Sequence, residues 1–578
     1  MERKSVPYYI ILLLILTGWT VRPVFAQTPF DEVYWDEASH ISEKVHLFTD
    51  RTIYAVDEDI HFVADYHVSG PIGDQPWSSM LYVELIAPAG KPMVQGKFLI
   101  SGGKAEGTLH IPVESITGVY VLKCYTRWMR NSGPASFSYT DLKVINPFRP
   151  EVALPGDEVN PAGSFQPVPG SKVVLECVTG SDLYHKGEEV VLQVKGSANY
   201  APDRIRFSVT VVPSGAIDLP GEYFEPTSSG KDSAFMVGFL PDLTNGISIS
   251  GTVVGPDQQP VPYATLHFSL LGKNPDFFAT MSDENGRFVI VTPPGSKETM
   301  EFFITPEQEE GSGLEVRIDQ EYDTRQIPVP WEQFRLSDDE IELAGKIALN
   351  MQLSKAYRPE ASRVGQVVRE DTVGSRVPFY GTRVKRLLID DYVMLPNLEE
   401  VFINLILEVQ FYKKQGKDRI RFISPNKSIG VYNPLILMDH ISVFDHEALL
   451  ALNPEKIERI DLINDIYLKG NVAFGGVLAI YSRKGDMAGI DLPKGSYFFD
   501  YQSIHQEASS GEPLSSGESR IPDIRNTIFW ASDLQLKQGT QIEVPFKAPA
   551  GKGDYIVLLR GVTPGGEIFS ASTRFRVE

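Results

Sequence analysis

Between residues 43 and 147 apolar and polar residues alternate in four runs: EKVHLFTDRTIYAVDEDIHFVADYHV, SSMLYVELIAP, EGTLHIPV and GVYVLKCYTRWM. A period of two puts alternate side chains on one face, so the runs predict β-strands separated by turns. Strands with one apolar face bury it readily by packing two sheets together, which predicts a β-sandwich over 43–148. YAVDEDIHF (54–62) aligns with YHKGEEVVL (184–192) as Tyr-x-x-(Gly/Asp)-Glu-x-(Ile/Val), a turn followed by an outgoing strand. This weak internal repeat predicts a second, related sandwich at 171–228, joined to the first by the Pro- and Gly-rich PFRPEVALPGDEVNPAGSFQPVPG.

Alternation resumes at 247–318, a third sandwich, where Asp283 and Asn285-Gly286 suit a tight turn and Phe288 returns to the core. In 319–384 the period changes. SDDEIELAGKIALNMQLSKAY predicts a helix, with a capping box at Ser337 and Glu340 and apolar residues Leu343, Ile347 and Met351 at i+4. The polar RPEASRVGQVVREDTVGSR that follows is expected to be a linker. Residues 385–486 predict a small α/β domain. LPNLEEVFINLILEV reads as a helix capped by Asn397 and Glu400. PLILMDHISV, DHEALLALNPEKIERIDLI and GGVLAIYSRKG then give strand, turn, short helix, strand, loop, strand. The stretch 487–518 is expected to be a linker. Residues 519–578 carry about four strands, either a final sandwich or a sheet completing an earlier one. The predicted fold class is mainly β: tandem sandwiches plus one α/β domain.

The N-terminus has another pattern. Arg3 and Lys4 precede the apolar YYIILLLILTGW, and Val24 and Ala26 occupy small-residue cleavage positions, so 1–26 is expected to be a secretory signal peptide with the mature chain starting at Gln27. No later stretch has 18 uninterrupted apolar residues, so the mature chain is expected to have no transmembrane helix. The 578 residues carry a formal net charge of −21, which repels phosphate backbones and argues against a nucleic-acid partner. The two cysteines, Cys124 and Cys177, sit in strand-like runs of different units and are expected to be free, buried thiols; pairing in an oxidising compartment is the alternative.

Three segments resemble known families. KVHLFTDRTIYAVDEDIHFVADY resembles the MG2 domain of the alpha-2-macroglobulin superfamily, whose turn favours Tyr-x-Pro-Gly-Glu. Tyr54 and Glu58 match, Val56 and Asp57 depart, and the second copy keeps Gly187 and Glu188. CYTRWMRN (124–131) is similar to the aromatic-rich segment that closes this domain in related envelope proteins. ISGTVVGPDQQPVPYATLHFSL and ATMSDENGRFVIV resemble the carboxypeptidase regulatory-like domain, through Gly251, Pro260, Ala264, Asp283, Gly286 and Phe288; that domain is not catalytic in its family. Residues 385–486 resemble the plug domain of TonB-dependent outer-membrane transporters. Pro434, Asp439, Asn453, Pro454, Ile457, Glu458, Ile460, Gly476, Val477 and Lys484 match; His440 stands where that family often has Gly, and NDIYLKGNVAFGG departs from its usual loop. Such a plug sits inside a large barrel. Only 92 residues follow Asp486 and their first part reads as linker, so no barrel is expected from this segment.

Candidate chemistry is sparse. DHEALL (445–450) lacks the second histidine of His-Glu-x-x-His, so Asp445 is expected to cap a short helix. His61 and His67 share a strand face but lie about 20 Å apart, too far to share a metal. There is no Gly-x-Ser-x-Gly elbow, no phosphate-binding Gly-x-x-x-x-Gly-Lys loop, and no Gly-Cys-Gly-Glu-Gln thioester setting. SDENG is expected to be a turn rather than a calcium loop. Trp77, Trp128, Trp331 and Trp530 are expected to pack between or within domains. No catalytic, cofactor-binding or metal residues are assigned, and no cofactor is expected. The resemblances imply a non-enzymatic envelope protein at the periplasmic face of the outer membrane, touching a barrel transporter or a TonB-like protein. The alternative is a macroglobulin-like, protease-interacting periplasmic protein with SRVGQVVREDTVGSR as its cleavable stretch. An enzyme with an unfamiliar site is the third reading.

Overall fold

The computed structural model describes residues 40–578 apart from 71–76, 89, 155–164, 168–173, 197–203, 218–223, 227–238, 240–241, 243–246, 273–274, 293–298, 309–311, 328–330, 332, 358–377, 382–383, 503–522 and 538. The expected signal peptide at 1–26, the expected linker at 358–376 and most of the serine- and glycine-rich stretch after 502 lie outside the described residues.

The alternating runs of the first unit form two facing sheets. One has the order β1 (Ser42–Thr49), β3 (Asp59–Ser69), β6 (Lys104–His110); the other has the order β2 (Ile53–Ala55), β8 (Ser138–Ile145), β7 (Gly118–Thr126), β4 (Met80–Ile86), β5 (Pro92–Leu99). The core between them holds Ile60, Phe62, Leu81, Tyr82, Leu122 and Leu142, all fully buried.

The second sandwich repeats this plan. β10 (Leu175–Thr179), β12 (Glu189–Gly196) and β32 (Gln541–Lys547) correspond to β1, β3 and β6. β11 (Leu183–Tyr184), β34 (Ile568–Val577), β33 (Gly553–Val562), β13 (Arg204–Pro213) and β31 (Phe529–Lys537) follow the order of β2, β8, β7, β4 and β5. β2 runs parallel to β8 and β11 parallel to β34. The repeat is also local. Glu58 accepts from the amide of Ala55 at 2.6 Å, as Glu188 does from His185 at 2.8 Å. Tyr54 and Tyr184 each accept from the amide three residues back, Arg51 and Ser181. The C-terminal strands therefore complete the second sandwich, and everything between β13 and β31 is inserted between its fourth and fifth strands. A short pair, β9 (Phe165–Pro167) and β14 (Phe224–Pro226), flanks this sandwich in sequence.

The insertion holds the third sandwich: β18 (Arg287–Thr292), β15 (Ile247–Val254) and β20 (Glu315–Ile318) in one sheet, and β17 (Asp276–Met281), β16 (Thr265–Leu271), β19 (Thr299–Pro306) and β30 (Tyr497–Gln502) in the other. β30 corrects the expected linker over 487–518. YFFDYQ has its own alternation. Phe499 stacks on Phe302 at 5.6 Å, and Tyr501 is buried beneath the Lys97 ammonium, 3.8 Å from its ring. Helix α1 (Asp338–Tyr357) starts at the expected box: the Glu340 amide donates to Ser337 Oγ and the Ser337 amide to Glu340 Oε2. Its buried Leu343, Ile347 and Met351 join the first sandwich's core together with Ala216 and Ile217. The CYTRWMRN segment is a junction: Arg127 reaches Ser248 O and Ser250 Oγ, and Arg130 donates to the carbonyls of Gln320 and Glu321.

The α/β domain is built on the five-stranded sheet β21 (Lys385–Leu388), β26 (Ile457–Ile463), β29 (Val477–Ser482), β24 (Leu435–Met438), β25 (Ile441–Ser442), with helices α2 (Leu398–Leu405) and α3 (His446–Leu450). The helix expected over 395–409 is shorter. It ends at Leu405, and a hairpin of β22 (Val409–Lys414) and β23 (Lys417–Phe422) follows. Val409, Ile420 and Phe422 alternate into the core and impose period two, while Gln415 and Gly416, at φ 53° and 82°, form the two-residue turn. A second hairpin, β27 (Tyr467–Lys469) and β28 (Val472–Phe474), fills the loop before β29.

Candidate functional site

The residues singled out in the α/β domain converge on one structural purpose. Asp439 and His440 both have positive φ, 47° and 71°, and close the β24–β25 hairpin. Asp439 accepts from the amide and hydroxyl of Ser482 (2.8 and 2.6 Å) and from the Met487 amide (2.9 Å), tying the end of β29 to the end of β24. Asn453 caps the turn Pro454–Lys456 through the Glu455 amide, which delivers Ile457 and Ile460 into the core. Glu458 stays exposed.

Gly475 and Gly476 are required by space. A Cβ on Gly475 would stand 2.4 Å from Tyr432 O. One on Gly476, which has φ +100°, would stand 2.8 Å from the Phe422 ring and 2.9 Å from Ile463 O.

Both faces of this sheet are covered by the chain itself. Ile436, Met438, Ile460, Leu478 and Ile480 face α2, α3 and the β22–β23 hairpin. Leu435, Leu437, Val477 and Ala479 face Phe277 and Ala279 of β17. At this second interface Ser269 Oγ donates to His440 O at 2.7 Å and Lys469 Nζ to Asp276 Oδ1 at 3.2 Å. His267 Nδ1 lies 2.7 Å from Ser442 Oγ, among the rings of Phe277, Phe444 and Phe474. Burial lowers the His267 pKa to about 3, so its ring is neutral at pH 7. The β27–β28 hairpin lies against β17 so closely that a Cβ on Gly470 would stand 2.0 Å from Ala279 O. The loop that departs from the plug pattern is thus occupied in an intramolecular contact.

Sequence reasoning missed a buried polar cluster beside edge strand β21. Asp461, 1% exposed, accepts from Arg386 Nε and Nη2 at 2.7 and 2.9 Å and from the Tyr380 hydroxyl at 2.8 Å. Tyr380 and Tyr481 hydroxyls are 2.5 Å apart, and the Arg459 guanidinium lies 3.9 Å from the Tyr481 ring. Asp461 is one position past the matched Ile460, inside an apolar strand. A carboxylate in the middle of IERIDLI was the available signal.

The remaining candidates are structural in the places where they are found. Asp445 Oδ1 caps α3 through the Ala448 amide, and His446 Nδ1 accepts from the Ile420 amide at 3.0 Å. His61 contacts Thr108 Oγ1, and the His67 ring packs against His46. Asp283 accepts from the amides of Asn285 and Arg287, which makes SDENG a turn. Cys124 and Cys177 are free and sit in different sandwiches; burial pushes the Cys177 thiol up to about 11. Trp77 meets Trp128 edge-on at 5.3 Å, Trp331 packs beside Ile327, and Trp530 lies within β31. Among the described residues no three His, Cys, Asp or Glu side chains converge as a metal site, and no helix is long and apolar enough to cross a membrane.

No family model matches the chain, and no curated protein matches it. Among solved structures, Escherichia coli alpha-2-macroglobulin activated by porcine elastase is similar at 9% identity, with a TM-score of 0.23, over 93% of this chain and 44% of that one. Salmonella alpha-2-macroglobulin reacted with methylamine is similar at 8% identity, with a TM-score of 0.22, over 93% of this chain and 39% of that one. The D0–D1 domain of intimin is similar at 12% identity, with a TM-score of 0.14, over 46% of this chain and 94% of that one. The chain spans less than half the length of these macroglobulins. Its mainly β class is read from its own sheets.

Proposed function

We propose that the protein is a non-enzymatic interaction protein of the cell envelope. It is secreted across the inner membrane, acts at the periplasmic face of the outer membrane, and serves as an accessory to TonB-dependent uptake. The reading rests on the plug-like sequence of 385–486 and on one structural observation. The sheet face carrying Leu435, Leu437, Val477 and Ala479 is covered by the third sandwich, and helix α2 on the opposite face leaves Glu399, Ile403 and Asn404 exposed. A plug-like domain so held has an internal substitute for a barrel wall on one side. Its other side is free to meet a barrel transporter or a TonB-like protein. Sandwich edges such as β5 and β32 offer further strand-addition surfaces.

The macroglobulin-like, protease-interacting reading is supported by the duplicated sandwich plan; its expected cleavable stretch, 362–376, lies outside the described residues. In-cell cross-linking of tagged protein, with mass spectrometry of outer-membrane and periplasmic fractions, separates the two. Barrel transporters or TonB-like proteins cross-linked through 385–486 are the expected result. Recovery of proteases, or of nothing from the membrane fraction, overturns the accessory reading.

A further inference from the structure

Two charged residues are buried where the first sandwich meets the second. Asp65 of β3 and Lys104 of β6 stand directly opposite each other in the ladder, and only 6% and 7% of their surfaces are exposed. They lie on the sheet face opposite to Phe62, Ala64, Tyr66 and Ala105, which belong to the core. Strands β13 and β31 of the second sandwich reach this face: Ser532 Oγ donates to Glu106, and Arg206 Nη1 donates to the Gly102 carbonyl. Asp533 of β31 is held there by Arg206, whose Nε and Nη2 each donate to it at 2.9 Å.

The contacts among these charges are long. Lys104 Nζ lies 3.5 Å from Asp65 Oδ1 and 3.3 Å from Asp533 Oδ1, against about 2.7–2.9 Å for a well-formed ammonium–carboxylate bond. Asp65 Oδ2 is buried with no hydrogen-bond partner among the described residues. A buried carboxylate so poorly matched is costly to keep ionised. Burial pushes the Asp65 pKa up to about 6, against the pull of Lys104 and Arg206, so about one-tenth of the group is neutral acid at pH 7. Lys123 and Glu84 show the contrast. They too are buried cross-strand partners, but their contact is 2.7 Å. Lys123 also donates to the Asp323 carbonyl at 2.6 Å, and Glu84 accepts from the Tyr125 hydroxyl at 2.8 Å. That pair is satisfied as ions, whereas Asp65 and Lys104 are not.

We propose that Lys104 and Asp65 join through an intramolecular amide bond, with Asp533 as the proton relay. One ammonium proton passes to Asp65, which leaves an amine facing a neutral carboxylic acid. The Nζ lone pair attacks Cγ of Asp65 and the Nζ–Cγ bond forms. Asp533 takes a second proton from Nζ and hands it to the departing Asp65 hydroxyl; the Cγ–Oδ bond breaks and one water leaves. Nζ keeps one hydrogen, Asp533 ends as it began, and no oxidant, reductant or cofactor enters. Strand pairing holds the two groups together and so replaces the entropic cost of bringing them into contact. Because the relay stands on β31, the bond closes only after the C-terminal strands have docked, and it then ties β3 covalently to β6. The inference goes beyond the interaction reading and depends on neither partner nor location.

The test is intact-mass spectrometry of the purified mature chain (27–578). The chain is expected to weigh about 18 Da less than its sequence, the mass of one water. Protease digestion with fragmentation is expected to yield one branched peptide joining the segments that contain residues 65 and 104. Lys104→Arg keeps the charge but lacks the nucleophilic amine, and is expected to show its full sequence mass. Asp533→Ala leaves both reacting residues in place and is expected to lower the linked fraction about tenfold, as removal of a proton relay does. Should Lys104→Arg fail to fold, the mass of the unsubstituted chain still decides. A full sequence mass for that chain, a loss of water mapped to another pair of residues, or complete linkage in Asp533→Ala overturns the proposal.

Discussion

Most of the α/β domain's recognisable residues are there for geometry. Asp439 is a carboxylate whose oxygens satisfy three donors at the end of β29, and its role follows from a turn that puts two consecutive residues at positive φ. Gly475 and Gly476 answer to nearby carbonyls and the Phe422 ring, a crowding that no local pattern reveals. His446 illustrates the same limit. In sequence it is half of an unfinished metal motif; in the fold its ring accepts from a strand amide, and burial together with neighbouring Arg419 lowers its pKa to about 4, against a weaker opposing pull from Asp445. The unfolded chain titrates near 6.5, so it binds the proton first. Stability is then independent of this group above about pH 6.5 and falls as pH drops towards 4, by about 2–3 kcal/mol. His446→Gln, which keeps an acceptor for the Ile420 amide, should flatten this slope. In urea titrations from pH 7 to pH 4.5 the gap between parent and variant should narrow or invert as the pH falls; a constant gap would contradict the assignment.

At the scale of elements, strands were legible wherever alternation was clean, and the capping box of α1 located its start. The predicted helix over 395–409 was overextended because VFINLILEV is apolar enough to continue a helical face. The Gln415–Gly416 turn and the alternation of 409–422 won there. The second sandwich shows a different limit. Val190, Leu192, Val194, Val209 and Val211 form one core with Val544, Val557, Leu559 and Phe569, more than three hundred residues away. Deleting 524–578 removes β31–β34 and leaves β10–β13 without four of their eight strands. Limited proteolysis with mass spectrometry should then find cleavage within 175–213 while 385–486 remains protected. Continued protection of 175–213 would mean that these strands stand without their C-terminal partners.

At the scale of the molecule, helix α1 is the wedge. Leu343, Ile347 and Met351 lie in the core shared with β2 and with Ala216 and Ile217, which follow β13. Lys143 of β8 pairs with Glu340 at 2.5 Å, and Asn350 bonds Asn526 at 2.8 Å. The same junction holds Arg51, buried between Asp50 and Glu58. Ile347→Asp places a carboxylate in this seam and should cost about 3–5 kcal/mol of its stability. Small-angle scattering should show a larger radius of gyration with strand content by circular dichroism unchanged. An unaltered radius would remove α1 from this role.

The sequence by itself determined the class of the chain, because period-two alternation and turn residues act between near neighbours. It also carried the repeat around Tyr54 and Tyr184, whose side chains bond within three or four residues. It could not tell which strands belong together. The pairing of β13 with β31, the addition of β30 to the third sandwich and the covering of the α/β domain's sheet by β17 depend on contacts between residues far apart in the chain. Those contacts are decided by which apolar faces meet when the whole molecule closes.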